Sequence, residues 1–251
     1  MDGEAMSYHF SCELVAATAQ TLGFAAGCAD FLSTGLVNPL LPAPKSNRIP
    51  MMMARRLTTG ERMALDCALQ LLGDNTQALV YSSHHSELER NHRILTALAQ
   101  QRDVSPTDFT LSVNNSAPGN LTIMTKRPLT VSAVSASHES FSAALTEAYL
   151  LLQDQYEEVL VVDCDGAVPE FYHPHLAAHE FILPFASAYL LRRGSGFEVS
   201  IGPAKPDKEP DLTLPASLAA WRAMRNGERE FTLNLPRQHL HLKLTSAVNW
   251  A

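Results

Sequence analysis

Ser112–Tyr172 reads SVNNSAPGNLTIMTKRPLTVSAVSASHESFSAALTEAYLLLQDQYEEVLVVDCDGAVPEFY, and this stretch decides the fold. Leu129 to Val134 alternate apolar with small polar residues, as a strand does. The tight turn Ser135-Ala136-Ser137-His138 then opens a helix from about Glu139 to Leu152, and Glu158 to Val162 forms an apolar strand. Strand, small-residue turn, helix and strand is the layout by which α/β enzymes present a nucleophile, because a helix N-terminus offers free N–H groups and a positive dipole end. The candidate nucleophile positions here are Ser135, Ser137 and His138, and the turn carries no cysteine. Without a thiol, Ser137 reads as the helix N-cap with Glu139 complementing the dipole.

Working outward, strands and helices alternate through the first two-thirds of the chain. Residues 12 to 23 and 57 to 72 read as helices, the second opened by Thr58-Thr59-Gly60-Glu61 at capping-box spacing. Gln77 to Ser82 is a short strand, and a helix follows from Ser86 to Gln101 with Leu88, Leu95 and Leu98 on one side. Ser105-Pro106 ends it, and Thr110 to Val113 is a further strand candidate. Asn114, Asn115, Pro118 and Gly119 read as a turn. Alternation of this kind predicts a mostly parallel sheet flanked by helices. The last third differs. Phe185 to Arg192 and Phe197 to Ile201 flank Arg193-Gly194-Ser195-Gly196, which predicts a hairpin. Ala204 to Pro215 is a proline-rich surface loop, Leu218 to Met224 a short helix, and Glu230 to Leu235 and His239 to Leu244 alternate as edge strands do. The expectation is one α/β domain over residues 1–251 with added C-terminal β-strands.

Composition narrows the function classes. The chain has 251 residues, 46% hydrophobic and 18% charged, with a net charge of −7. That balance argues against nucleic acid or an anionic membrane as main ligand, since phosphate backbones demand excess Lys and Arg. No apolar run approaches the ~18 residues that span a bilayer, and no basic n-region with an h-region opens the chain. Four scattered cysteines without metal-ligand spacing read as reduced and mostly buried, which implies a cytoplasmic protein. His84-His85 reads as a loop pair, because the local spacing supplies no further metal ligands.

Asn114-Asn115 before Pro118-Gly119, the SAxxxSF run from Ser135 to Phe141, and Val168-Pro169-Glu170-Phe171-Tyr172 after the apolar strand together resemble the N-terminal half of the β-ketoacyl synthases. The likeness covers roughly Arg48 to Arg193 and is greatest with their short, cysteine-less relatives, the chain length factor-like proteins of aryl polyene gene clusters. The resemblance implies a thiolase-like fold, truncated to its first half. In the synthases a cysteine at this turn takes the acyl chain, and two histidines from a second half assist decarboxylation; too little chain follows Phe185 for that half. It therefore implies a non-catalytic partner of a full-length β-ketoacyl-ACP synthase, with no cofactor and no metal. By the same resemblance, Leu129 to Phe141 lies at the partner interface, with Val131, Val134 and Phe141 at the interface or acyl tunnel. Lys45, Arg48, Arg55, Arg56 and Arg62 gather in an otherwise acidic chain, and Arg55, Arg56 and Arg62 are the candidate contacts for an acidic acyl carrier protein.

Two other chemistries compete. Val161-Val162-Asp163-Cys164-Asp165-Gly166 resembles motif I of the haloacid dehalogenase-like phosphatases, in which Asp163 would attack phosphorus and Asp165 handle the leaving-group proton beside Mg²⁺. That motif normally sits on the first strand, with a lysine and an acidic pair on later strands; here Lys205 and Lys208 fall in the proline-rich loop, and the alternative is a strand end whose carboxylates face solvent or a partner. A serine-dependent acyltransferase or hydrolase would use Ser135 or Ser137 with His138.

Overall fold

The computed structural model describes residues 7–251. The β-strands are β1 (Tyr8–Thr21), β2 (Thr76–Ser82), β3 (Thr130–Val134), β4 (Glu158–Asp165), β5 (Phe185–Pro203), β6 (Glu230–Asn234), β7 (Gln238–Leu244) and β8 (Asn249–Trp250). The helices are α1 (Ala29–Thr34), α2 (Met51–Ala54), α3 (Thr59–Leu71), α4 (Leu88–Ala99), α5 (Pro106–Thr110), α6 (Ser116–Thr125), α7 (Ser140–Gln153) and α8 (Ala216–Arg225). One sheet runs β3-β2-β4-β5-β1-β8, with β7 pairing β5 and β6 pairing β7. Apart from the two-residue β1/β8 pairing, parallel ladders are confined to β3-β2-β4; the ladders β4/β5, β1/β5, β5/β7 and β6/β7 are antiparallel. The α/β class holds, while the sheet is mixed rather than mostly parallel.

The central strands are apolar on both sides because both faces are covered. Leu79, Tyr81, Leu160, Val162, Ala188 and Leu190 pack toward Met63, Leu65 and Leu71 of α3 and Leu121 of α6. Ala78, Val80, Val159, Val161, Tyr189 and Leu191 point the other way, toward Phe141, Leu145 and Leu152 of α7 and Leu218 of α8. The period-2 alternation of β2, β4 and β5 thus divides one sheet between two cores.

Two sequence expectations are overturned in β1 and β5. Residues 12 to 23 were expected to be helical, but β1 is a strand. Its buried Phe10, Cys12 and Leu14 alternate with half-buried Ser11, Glu13 and Val15, and burial between neighbours overrides the helix propensity of its alanines. Arg193 to Gly196 does not turn the chain back. β5 continues through it, pairing with β1 from Phe185↔Thr21 to Ile201↔Tyr8. The step from Glu13↔Arg192 to Cys12↔Phe197 makes the four residues a bulge, and Gly194 and Gly196 supply its positive φ values of 153° and 103°. The predicted strand at Thr110 to Val113 is the end of α5 and a turn, with Ser105 capping that helix. Asn114 to Gly119, expected to be a turn, leads into and opens α6. Leu95 and Leu98 of α4 face outward, both 57% exposed.

The other expected elements form. Thr58 Oγ1 accepts from Glu61 N at 3.3 Å while Thr58 N donates to Glu61 Oε2 at 2.8 Å, closing the capping box of α3. No helix among the described residues is long and apolar enough to cross a membrane.

Candidate functional site

In open sheets, ligand sites lie off the carboxyl ends of parallel strands. Here β2, β3 and β4 end together at a cleft of about 60 Å³, lined by His84, His85, Ser137, His138, Asp163, Asp165 and Glu180 among others.

The turn after β3 contributes Ser137 and His138. Ser137 lies in the left-handed region at φ 59°, which a non-glycine residue adopts only when its surroundings force it. It is not the helix N-cap expected from sequence. That position belongs to Glu139, whose carboxylate accepts from Arg237 N at 2.9 Å and Arg237 Nη2 at 2.7 Å. Ser140 Oγ instead accepts from Ala136 N at 3.0 Å and donates to Ser137 O at 2.6 Å, which closes the turn from inside. Ser135 is exposed and is not among the cleft residues.

The end of β2 contributes the histidine pair. Ser83 Oγ donates to Asp165 Oδ1 at 2.5 Å, and His84 N and His85 N donate to the same carboxylate at 3.2 and 2.8 Å. Asp165 thus fixes the backbone that presents both imidazoles. Their rings stack at 3.9 Å, with His138 tilted against His84 at 4.4 Å. Glu180 reaches in from the segment before β5, held because its Oε2 accepts from Ala177 N at 2.9 Å. Its Oε1 lies 3.9 Å from His84 Nδ1, 3.8 Å from His85 Nε2 and 3.5 Å from His138 Nε2. His84-His85 is a loop pair as expected; Glu180, distant in sequence, is brought to it by the fold, and local spacing carries no trace of that approach. His138 Nε2 is buried and has no hydrogen-bond partner among the described residues.

Burial sets the charge states. It pushes His84 down to about 3, aided by His85 and His138, and lowers His85 and His138 as well. The three imidazoles are therefore neutral at pH 7. Asp163 and Asp165, fully enclosed, are pushed up by desolvation to about 7 and about 6. Neither faces solvent or a partner, which corrects the sequence reading.

These facts weigh against both competing chemistries. Asp163 spends its oxygens on Ser82 Oγ at 2.5 Å and Ser217 Oγ at 2.6 Å, and is 5% exposed, so it is a buried structural carboxyl and not a nucleophile aimed at phosphorus. Ser137 Oγ meets a base, but at His84 Nε2 (3.3 Å) and not at its neighbour His138. An imidazole held near pKa 3 is a poor acceptor of a serine proton at neutral pH.

The remaining predicted residues lie elsewhere. Val131 on the outer strand β3 is 37% exposed, Val134 is half-buried against the core, and Phe141 is 1% exposed. Phe141 packs on Tyr189 at 5.0 Å between centroids and lines the cleft from within, so it is unavailable to a partner's surface. Arg55, Arg56 and Arg62 are exposed. Arg55 and Arg56 border a separate groove with Met52, Met53, Pro106 and Leu111. Met52 in that groove is 76% exposed.

Known proteins share this architecture. The family described as β-ketoacyl synthase, N-terminal domain, matches residues 34–242. A chain in the structure of the ketosynthase ApeO in complex with its chain length factor ApeC, from Xenorhabdus doucetiae, is 37% identical. That match covers 93% of this chain and 99% of the other, at a TM-score of 0.86. The ishigamide ketosynthase/chain length factor matches at 16% identity over 86% of this chain and 73% of its own, TM-score 0.58. A structure of a type II polyketide synthase acyl carrier protein in complex with its ketosynthase, AntDE:AntF, matches at 8% identity over 93% and 99%, TM-score 0.62. The last two speak for the fold alone. Among curated proteins no match is found.

Proposed function

The chain belongs to the β-ketoacyl synthase family, and we propose that within it this is the non-catalytic, chain length factor-like partner of a full-length β-ketoacyl-ACP synthase. One observation carries the reading: the strand–turn–helix that would present the family's nucleophile ends in Ser135-Ala136-Ser137-His138, in a chain that matches 99% of a chain from a ketosynthase–chain length factor complex. The thiol is missing at that turn, and the imidazole that meets Ser137, held near pKa 3, is a poor base for a substitute. The acyl-transfer chemistry then belongs to the partner's cysteine and histidines.

The role is to complete the heterodimer that elongates a polyene or fatty acyl chain on an acyl carrier protein, in the cytoplasm, as one ketosynthase-like domain over residues 1–251. The edge of β3, with Val131, docks on the synthase; the cleft behind the turn, walled by Phe141, bounds the space open to the growing chain. The groove flanked by Arg55 and Arg56, with Arg62 nearby, offers an acidic carrier protein a basic contact with exposed methionine beside it. Co-expression with a candidate full-length β-ketoacyl-ACP synthase tests the proposal. A stoichiometric complex that extends a carrier-bound acyl chain is expected, with neither subunit active alone. Malonyl condensation by this chain by itself, or failure to co-purify with the synthase, sinks it.

A further inference from the structure

Three imidazole nitrogens surround one carboxylate oxygen at the end of the parallel strands, and their spacing is informative. Separations of 3.5, 3.8 and 3.9 Å from Glu180 Oε1 are too long for hydrogen bonds. They lie close to the ~3.3–3.5 Å that separates two donors sharing a tetrahedral Zn²⁺ with bonds of about 2.0–2.1 Å. One ring nitrogen of His84, one of His85 and a Glu180 oxygen all fall within 4.8 Å of one another. We propose that His84, His85 and Glu180 bind a divalent transition-metal ion of the zinc class, the two imidazoles turning out of their 3.9 Å stack to face it.

Two further observations support the site. His138 Nε2, a buried nitrogen without a hydrogen-bond partner among the described residues, stands 3.5 Å from the same Glu180 oxygen, where a metal-bound water would satisfy it. The ring nitrogen of His84 that faces away from Glu180 is held by Ser137 Oγ at 3.3 Å, the outer hydrogen bond that orients metal-bound histidines. A set of two imidazoles and one carboxylate suits Zn²⁺, Co²⁺ or Ni²⁺ and not Mg²⁺ or Ca²⁺, which prefer all-oxygen shells. Three protein ligands leave the fourth tetrahedral position to water. The ion would tie the end of β2 to the segment before β5 across the cleft. This inference does not depend on whether the chain pairs with a synthase.

The test is titration of the purified, chelator-treated 251-residue chain with Co²⁺ and Zn²⁺. One Co²⁺ per chain with the visible absorption of a tetrahedral site, displaced by Zn²⁺ and untouched by Mg²⁺, is expected. Glu180→Gln and His85→Gln should each weaken binding at least ~10-fold, and Ser137→Ala, which removes only the orienting hydroxyl, by about 10-fold. Metal-free melting of each variant separates lost ligation from lost folding, and if one variant does not fold the other two are read. No Co²⁺ spectrum in the wild-type chain overturns the proposal, as does wild-type affinity in the folded ligand variants.

Discussion

At the scale of single residues, the site's groups make opposing demands as pH changes. Asp163 and Asp165 have folded pKa values raised to about 7 and about 6, so each keeps a proton where the unfolded chain has released it. Their contribution to stability is fully present below about 4 and is lost as pH rises to about 7. His84, lowered to about 3, refuses a proton that the unfolded chain accepts below about 6.5; its contribution grows from pH 3 to 6.5 and is complete there. The two trends offset each other up to pH 6.5, above which only the carboxyl groups still titrate. Asp163→Asn removes one of them and leaves an amide that Ser82 and Ser217 can still bond. The melting temperature of this variant minus that of the wild type should grow more positive between about pH 4 and 8, by the equivalent of a few kcal/mol; a difference that stays flat with pH would refute this account of Asp163. The DxDG string is plain in the sequence, but its burial is not. Ser82, Ser83 and Ser217, which enclose it, come from other elements, and a serine leaves no periodic signal. The same holds for Glu180, which lies in a segment without regular structure and becomes part of the site only through the fold.

At the scale of elements, legibility followed how much of an element's pattern is local. The capping box of α3 and the apolar runs of β2 and β4 are written in consecutive residues, and they form as expected. β1 and β5 are not local in this sense: the alanines of β1 make a strand because β5 lies along its whole length, and the Gly194–Gly196 segment bulges because β1 continues opposite it. Gly60 shows a local residue with a distant cause. A Cβ there would stand 2.5 Å from Asp165 O, so α3 can begin against the end of β4 only without a side chain. Gly60→Ala should cost about 1–3 kcal/mol by urea denaturation, since the obstacle is backbone and cannot swing aside; a loss under about 0.5 kcal/mol would show that the helix start shifts freely. Arg90 of α4 ties three helices together. Its guanidinium, 2% exposed, meets Glu61 of α3 at 2.5 Å, Glu87 at 3.1 Å and Asp108 of α5 at 3.2 Å. Burial and the neighbouring Glu61 push Glu87 up to about 8 even with that partner present. Arg90→Met should therefore destabilise the fold by roughly 3–5 kcal/mol, because the buried Glu61 carboxylate loses its counter-charge while Glu87 stays protonated at pH 7. Adding Glu61→Gln should recover part of the loss; no recovery would mean that lost packing, and not charge, dominates.

At the scale of the whole molecule, the sheet is finished on one side and unfinished on the other. Beyond β1 the sheet ends in the short β8, and on the C-terminal half of β5 it continues through β7 to β6, whose Glu230 and Phe231 are exposed or half-buried. Beyond β2 it ends at β3, a five-residue strand with Thr130, Val131 and Ala133 exposed and an unpaired outer edge among the described residues. Exposed edges template pairing, and soluble proteins commonly blunt them with charge, proline or a covering helix. The β3 sequence TVSAV carries no charge and no proline, so it is suited to pairing with another strand. Its position also fits the proposed division of labour: β3 leads directly into the Ser135–His138 turn, so a synthase strand docked there would bring its own nucleophile turn beside the cysteine-less one. Val131→Asp places a charge on that edge without touching either core. It should leave the unfolding free energy of the isolated chain within about 0.5 kcal/mol of wild type, as surface substitutions do, and abolish co-purification with the synthase. Retention of the complex by a folded Val131→Asp chain would move the interface away from β3, and the alignment of the two turns would then lose its structural basis.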